Sequence, residues 1–134
     1  MDLHDCPCSG KTLARLVQPA AMALLAEEPL HGYLVVQRLA AMRMFCGQSP
    51  DPTGIYRLLK AMEQEGLVKS TLHSADNRPA KRCFALTASG RACLARWAQT
   101  LQHYEDSIAD LLATVTRAAR PRRVAVKKRA GKTA

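Results

Sequence analysis

The sequence lacks a long apolar run and lacks a recognisable secretion signal. No stretch of its 134 residues approaches the roughly eighteen apolar residues that a membrane-spanning helix needs. Its first ten residues include Asp2 and Asp5 and contain neither a basic leader nor an apolar segment. No Ser, His and Asp set and no carboxylate pair stands out on a periodic element. These absences predict a protein that is not an enzyme and that resides in the cytoplasm.

The composition is that of a folded chain of about one domain. Apolar residues make up 48% of the sequence, which is enough to form a core. This content excludes wholesale disorder, collagen-like repeats and small disulfide scaffolds. The length allows one compact domain and little else.

The positive charge is concentrated at the C-terminal end. The formal net charge is +9, and eight of the 20 Lys and Arg residues lie between Arg117 and Ala134, where there is no Asp or Glu. Interleaved with Ala, Gly and Pro121, this composition predicts a flexible basic tail over residues 117–134. Such a tail binds polyanions through counterion release without reading sequence. The alternative is a solubilising tail that has no partner.

Apolar periodicity predicts two helices in the first third of the chain. The first has Pro19 in its opening turn, since proline fits the first helical turn, and extends to Glu27. Residues 28–30 are interpreted as a break. The second helix is predicted from His31 to Met44.

A third helix, Pro52 to Glu65, has the clearest two-sided pattern. Asp51 is a favourable N-cap with proline at the first helical position, and Gly66 is a C-terminal stop. The spacing of its apolar and polar residues places them on opposite faces of the helix. The apolar face consists of Ile55, Leu58, Leu59 and Met62, and the opposite face of Thr53, Arg57, Lys60 and Gln64.

A hairpin and a long helix follow. Residues Leu67–His73 and Lys81–Leu86 are predicted strands around a polar loop that contains Arg78. Thr87 is the predicted cap of the last helix, residues 87–116.

The last helix carries a heptad seam, in which apolar residues alternate by three and four for three heptads. We interpret this pattern as a dimerisation helix, and the alternative is packing on its own domain. The seam residues are Leu94, Trp97, Leu101, Tyr104, Ile108, Leu111 and Val115.

Together these elements predict a mainly α fold with a small β-hairpin, a winged helix-turn-helix over residues 13–86. A segment that contains cysteines, residues 1–12, precedes it, and the dimerisation helix follows. The third helix of such a fold fits a major groove and the wing reaches flanking phosphates of double-stranded DNA. Taken alone, the charges of that helix would indicate only a solvated face. The predicted DNA-binding residues are Thr53, Tyr56, Arg57, Lys60, Gln64, Arg78, Lys81 and Arg82.

The sequence also resembles the PadR-like transcriptional regulators. The resemblance covers roughly Leu13 to Val115 and is most specific in PLHGY and in IYRLL followed by EGLV. It implies a homodimeric winged-helix repressor of the shorter subfamily, with a single C-terminal helix, in which Tyr56, Arg57, Lys60 and the wing contact operator DNA. Family members commonly have Gly and then Thr at the start of the recognition helix, whereas here Thr53 precedes Gly54.

Regulators of this kind respond to a small molecule or a redox event. Trp97, the only Trp, is a candidate for stacking on a planar effector, and core packing is the alternative. Five cysteines exceed what packing needs, and Cys6, Cys8, Cys46 and Cys93 are candidates for redox sensing. The same residues, with His4 and His31, are candidate ligands for an iron–sulfur cluster, zinc or haem. The alternative is that Cys83 and Cys93 are small buried hydrophobic residues and that Cys46 lies at the surface without a role.

Two other functions are compatible with the sequence. A non-specific or architectural nucleic-acid-binding protein would depend on the tail and show steep salt dependence. A winged-helix protein–protein adaptor would not need Arg57 and Lys60.

Overall fold

The computed structural model describes residues 15–46, 50–74 and 79–121. The elements are α1 (Val17–Glu27), β1 (Leu30–His31), α2 (Gly32–Ala41), α3 (Pro52–Gln64), β2 (Val68–His73), β3 (Lys81–Leu86) and α4 (Ala88–Ala119). The strands pair antiparallel in the order β1–β3–β2, and a short 3-10 helix, Arg43–Phe45, follows α2. This is the predicted mainly α fold with a hairpin and a long C-terminal helix.

The chain divides into two compact units, one through Ala98 and one from Gln99 onward. The hydrophobic core belongs to the first unit and collects residues from its helices and strands. Its largest fully buried side chains are Phe45, Met22, Leu25, Leu39, Ile55, Leu59, Met62, Val35 and Val68.

Both ends of α3 are formed by the local signals that predicted them. Asp51 accepts a hydrogen bond at Oδ2 from the Gly54 N–H at 3.2 Å. Gly66 has a φ of +80°, a backbone conformation that favours glycine, and its N–H donates to the Glu63 carbonyl. The Leu67 N–H donates to the Met62 carbonyl at 2.9 Å, which completes a Schellman motif. The predicted N-cap and C-terminal stop are confirmed.

The two faces of α3 differ in burial as its spacing predicts. Ile55, Leu59 and Met62 are buried and Leu58 is half-buried. The polar residues of the opposite face remain exposed. The apolar face of α3 therefore packs on the core, and its polar face is exposed to solvent.

The sheet has one strand more than the predicted hairpin. β3 has its predicted bounds and β2 begins one residue later than predicted, at Val68. β1 pairs Leu30 with Phe84 and His31 with Cys83. The interpretation of Leu30 as part of a break was wrong, because its extended conformation depends on a distant strand and two residues carry no periodicity.

The predicted bounds of α2 were also wrong at both ends. His31 belongs to β1, so the helix starts at Gly32. It stops at Ala41 because Met42 has extended backbone angles, φ −70° and ψ 138°, before the 3-10 turn.

The first turn of α4 is attached to the hairpin. Thr87 accepts the Gly90 N–H at Oγ1 (3.0 Å) and donates to the Gly66 carbonyl (2.6 Å), which confirms its predicted capping role. Gly90 is buried, and a Cβ there would collide with the Leu67 carbonyl oxygen and lie 2.7 Å from Leu86 Cδ1. α4 extends to Ala119, beyond its predicted end at 116, so Arg117 belongs to the helix. None of the helices in the described parts of the chain is long and apolar enough to cross a bilayer.

Candidate nucleic-acid interface

The outer face of α3 presents the side chains that the sequence predicts for contact with DNA. Thr53, Arg57, Lys60 and Gln64 are exposed, and Tyr56 is 45% exposed. Burial of the opposite face fixes the rotation of the helix, so these polar groups point away from the core. They supply donors and acceptors suited to base edges and phosphates.

The basic residues of the hairpin are partly described. Lys81 and Arg82 are exposed at the start of β3, where Lys81 pairs with His73 and Arg82 with Leu72. Arg78 lies outside the described residues. The described part of the hairpin therefore carries two cations near its tip.

A hydrogen-bonded relay joins the end of α3 to both hairpin strands. The Arg82 Nη1 donates to Ser70 Oγ at 2.8 Å, and Ser70 Oγ donates to Glu63 Oε2 at 2.5 Å. The Ser70 N–H donates to the same carboxylate oxygen at 3.2 Å. Glu63 and Ser70 are half-buried, which strengthens these bonds relative to exposed ones. Sequence reasoning missed both residues, since neither periodicity nor a motif marks them.

A cavity of about 330 Å³ lies where α2, α3 and β3 meet. Gly32 allows this meeting, because a Cβ there would lie 2.5 Å from Tyr56 Cε1. His31 Nδ1 is buried and has no hydrogen-bond partner among the described residues. The His31 ring stands edge-on to that of His73, with centroids 6.0 Å apart. The cavity is lined by His31, Gly32, Tyr33, Tyr56, Lys81, Arg82 and Phe84.

The residues of the predicted seam lie in two environments. Leu94 and Trp97 are half-buried and pack against the core of the first unit, which favours the core interpretation of Trp97. Leu101 is half-buried. The apolar side chains beyond it are exposed: Tyr104, Ile108, Leu111, Leu112 and Val115. Leu112 was not among the predicted seam residues.

The described cysteines are free thiols that belong to no metal-ligating cluster. Cys46 is exposed, and Cys83 and Cys93 are half-buried. Among the residues that the structure describes, no group of three or more His, Cys, Asp or Glu side chains is arranged to hold a metal ion. Cys6 and Cys8 lie outside the described residues.

Comparisons with known proteins give one consistent result. A sequence model of the transcriptional regulator PadR-like family matches residues 21–96. A Mycobacterium tuberculosis protein named as a probable transcriptional regulator is 46% identical over 78 residues, which make up 58% of this chain and 41% of that protein. The chain thus spans less than half the length of this relative.

The chain is similar to solved structures of the same family, of which two are informative here. The PadR-like transcriptional regulator of Bacillus cereus is 20% identical with a TM-score of 0.64, over 76% of this chain and 96% of that one. At that identity it supports the fold alone. Bacillus subtilis PadR, solved in complex with operator DNA, is 25% identical with a TM-score of 0.56, over 63% of this chain and 46% of that one. With the match of the family model to more than half of its length, the chain belongs to the PadR-like family of transcriptional regulators.

Proposed function

We propose that this protein is a sequence-specific transcriptional repressor that binds double-stranded DNA as a homodimer. The observation that carries the proposal is that Tyr56, on the exposed side of α3, and the cations Lys81 and Arg82 of β3 line the same cavity. The helix enters the major groove and the hairpin, as the wing, contacts the flanking backbone. The relative solved with operator DNA supports this assignment.

The roles of the α3 side chains follow from their chemistry. Arg57 and Lys60 are able to contact guanine edges or phosphates, and Gln64 and Tyr56 supply further donors. Thr53, in the first turn, is proposed to contact the DNA backbone, although its order with Gly54 departs from the family pattern. Arg78 is proposed to act with Lys81 and Arg82 on the wing.

Selection of bound fragments from genomic DNA with the purified full chain tests this function. The wild type should recover a discrete set of sites. Arg57→Ala and Lys60→Ala should each weaken binding about tenfold or more at a selected site, as expected for a lost base contact. Arg96→Ala, which removes an exposed cation of α4, is the matched control. Equal binding by all three variants would contradict the proposed roles of Arg57 and Lys60, and failure of the wild type to select any DNA would favour a protein–protein adaptor.

The homodimer is proposed to form through α4. Its exposed apolar residues Tyr104, Ile108, Leu111 and Val115 recur at helical spacing, and Leu112 widens the stripe. A stripe of this length on a helix is typical of an interface with another helix.

The charge of residues 117–134 favours a second candidate, a protein whose DNA affinity depends mainly on that tail. Truncation after Thr116 separates the two functions. If the truncated chain still prefers its selected site and shows a shallower salt dependence, α3 and the wing read the sequence. Loss of all preference would support the tail-driven function.

A sensory input through Cys6 and Cys8, together with Cys46 or Cys93, is part of the proposal. Exposure of the Cys46 thiol supports oxidation there. Metal analysis of anaerobically purified protein and DNA binding before and after oxidation test the input. No bound metal, with DNA affinity unaffected by oxidant, would refute it. An effector role for Trp97 predicts quenching of its fluorescence by a planar ligand.

A further inference from the structure

Three side chains that can bind a metal lie on one face of the sheet, on three neighbouring strands. His31 of β1 pairs with Cys83 of β3, and Lys81 of β3 pairs with His73 of β2. Directly paired residues point to the same face of a sheet, and so do residues two apart on one strand. His31, Cys83 and His73 therefore share one face, and the cysteine is on the middle strand.

The two imidazole rings are separated by a distance that one metal ion can bridge. Their centroids are 6.0 Å apart, and their planes meet at 85°. A zinc–nitrogen bond of about 2.1 Å places the ion about 3.2 Å from each ring centroid, so two rings that bind one ion have centroids about 5–6 Å apart. The rings of His31 and His73 therefore need to change orientation rather than approach each other to share an ion.

The surroundings of the three side chains leave them available as ligands. His31 Nδ1 is buried and has no hydrogen-bond partner among the described residues, so no protein group there competes for it. Cys83 is a half-buried free thiol. The three groups do not converge on one point as they stand. His73 is exposed at the end of β2, so its side chain can rotate and complete the set.

We propose that His31, His73 and Cys83 bind one Zn²⁺ ion and leave its fourth position to water. Two imidazoles and one thiolate suit zinc, and the thiolate offsets part of the charge of an ion beside Lys81. The thiol proton is released to solvent on binding. The ion links His31, which directly precedes α2, to the end of β2, and so holds the hairpin to the rest of the first unit.

This site goes beyond the proposed function, since it needs no DNA and differs from the cysteine set of the proposed sensory input. Its test therefore uses the protein alone, and its failure would leave the proposed DNA binding untouched. The full chain with Cys6→Ser and Cys8→Ser serves as the background, because it removes the thiols of the N-terminal segment.

Cobalt(II) is a coloured probe of zinc sites that contain a thiolate. Anaerobic titration should give one equivalent of bound Co²⁺ per chain, with a thiolate-to-cobalt charge-transfer band, and Zn²⁺ should displace it. Cys83→Ser should abolish the band. His73→Gln should weaken Zn²⁺ binding at least about tenfold, because even changes outside the ligand shell cost about 10–100-fold.

His103→Gln is the matched control, since it makes the same change at an exposed position of α4. It should retain both the band and the affinity. Equal Zn²⁺ binding by His73→Gln and His103→Gln would overturn the proposal and leave the two rings as an aromatic contact only. A band that persists in Cys83→Ser would likewise overturn it.

A measurement on the wild type does not depend on the folding of any variant. Zn²⁺ should shift the ring nitrogen resonances of His31 and His73 in NMR spectra. It should also slow amide hydrogen exchange in β2 and β3, because the ion ties the hairpin to β1. Shifts confined to His4 and His103 would overturn the proposal.

Discussion

Ser70→Ala tests whether the relay holds the wing to the recognition helix. The substitution removes the Oγ atom that donates to Glu63 at 2.5 Å and accepts from Arg82 at 2.8 Å. The bond from the Ser70 N–H to Glu63 is retained, because it belongs to the backbone. The variant therefore removes the hydrogen bond from Arg82 and leaves one hydrogen bond, from the Ser70 N–H, between β2 and Glu63 of α3.

The expected loss of stability follows from the burial of the partners. A hydrogen bond to a charged group contributes about 1.5–3 kcal/mol where water is excluded. Glu63 is half-buried and Arg82 is exposed, so solvent replaces part of each bond. We expect a decrease of about 1–2 kcal/mol in the free energy of unfolding, and a urea midpoint lower by about 1 M.

Urea denaturation followed by circular dichroism, at one protein concentration throughout, measures this loss. Thr71→Ala is the matched control, since it removes a hydroxyl from the adjacent, exposed position of β2. A double-mutant cycle of Glu63→Gln and Arg82→Ala should show coupling in the wild type and none in the Ser70→Ala background. Equal midpoints for Ser70→Ala and Thr71→Ala would refute the idea that the relay stabilises the hairpin.

Three further predictions concern the helices. Asp51→Ala should lower the free energy of unfolding by about 1 kcal/mol through loss of the cap to Gly54, whereas Asp51→Asn should retain most of it; similar denaturation curves for both would contradict this. Gly90→Ala should lower the free energy of unfolding by about 3 kcal/mol or more in the same assay, because the added Cβ would collide with the Leu67 backbone carbonyl. A midpoint equal to that of the wild type would show that the backbone around Gly90 shifts to accommodate the Cβ. Ile108→Asp should shift the mass measured by light scattering from dimer to monomer, and Ala113→Asp, on the opposite face of α4, should not; a dimer in both would exclude this stripe as the interface.

The parts of the fold that the sequence predicts well depend on neighbouring residues. The ends of α3 follow from Asp51, Pro52 and Gly66, each of which acts within one turn. The bounds of β3 follow from a six-residue segment that lies between a polar loop and the cap residue Thr87. In each case the structure is determined by side chains and backbone groups that are close in the sequence.

Long-range structure was less accessible. β1 exists only because Leu30 and His31 pair with Phe84 and Cys83, more than fifty residues later. The heptad pattern likewise predicts an apolar face but not what covers it. Trp97 packs on the core of its own unit whereas Ile108 is 59% exposed, although both belong to one repeat. Periodicity therefore shows which residues share one face of a helix. Tertiary structure decides what packs against that face.

The same distinction applies to the charges of the candidate interface. The sequence predicts Arg82 only as a cation of the wing that reaches the flanking backbone. In the structure it is held through Ser70 to Glu63, the penultimate residue of α3, so the two elements that are proposed to contact DNA are linked to one another. Because Glu63 is acidic and points to the wing, its loss should impair binding by misplacing Arg82, although it brings no positive charge to DNA. An acidic residue thereby has a proposed positioning role at the candidate interface, which a count of basic residues would not have indicated.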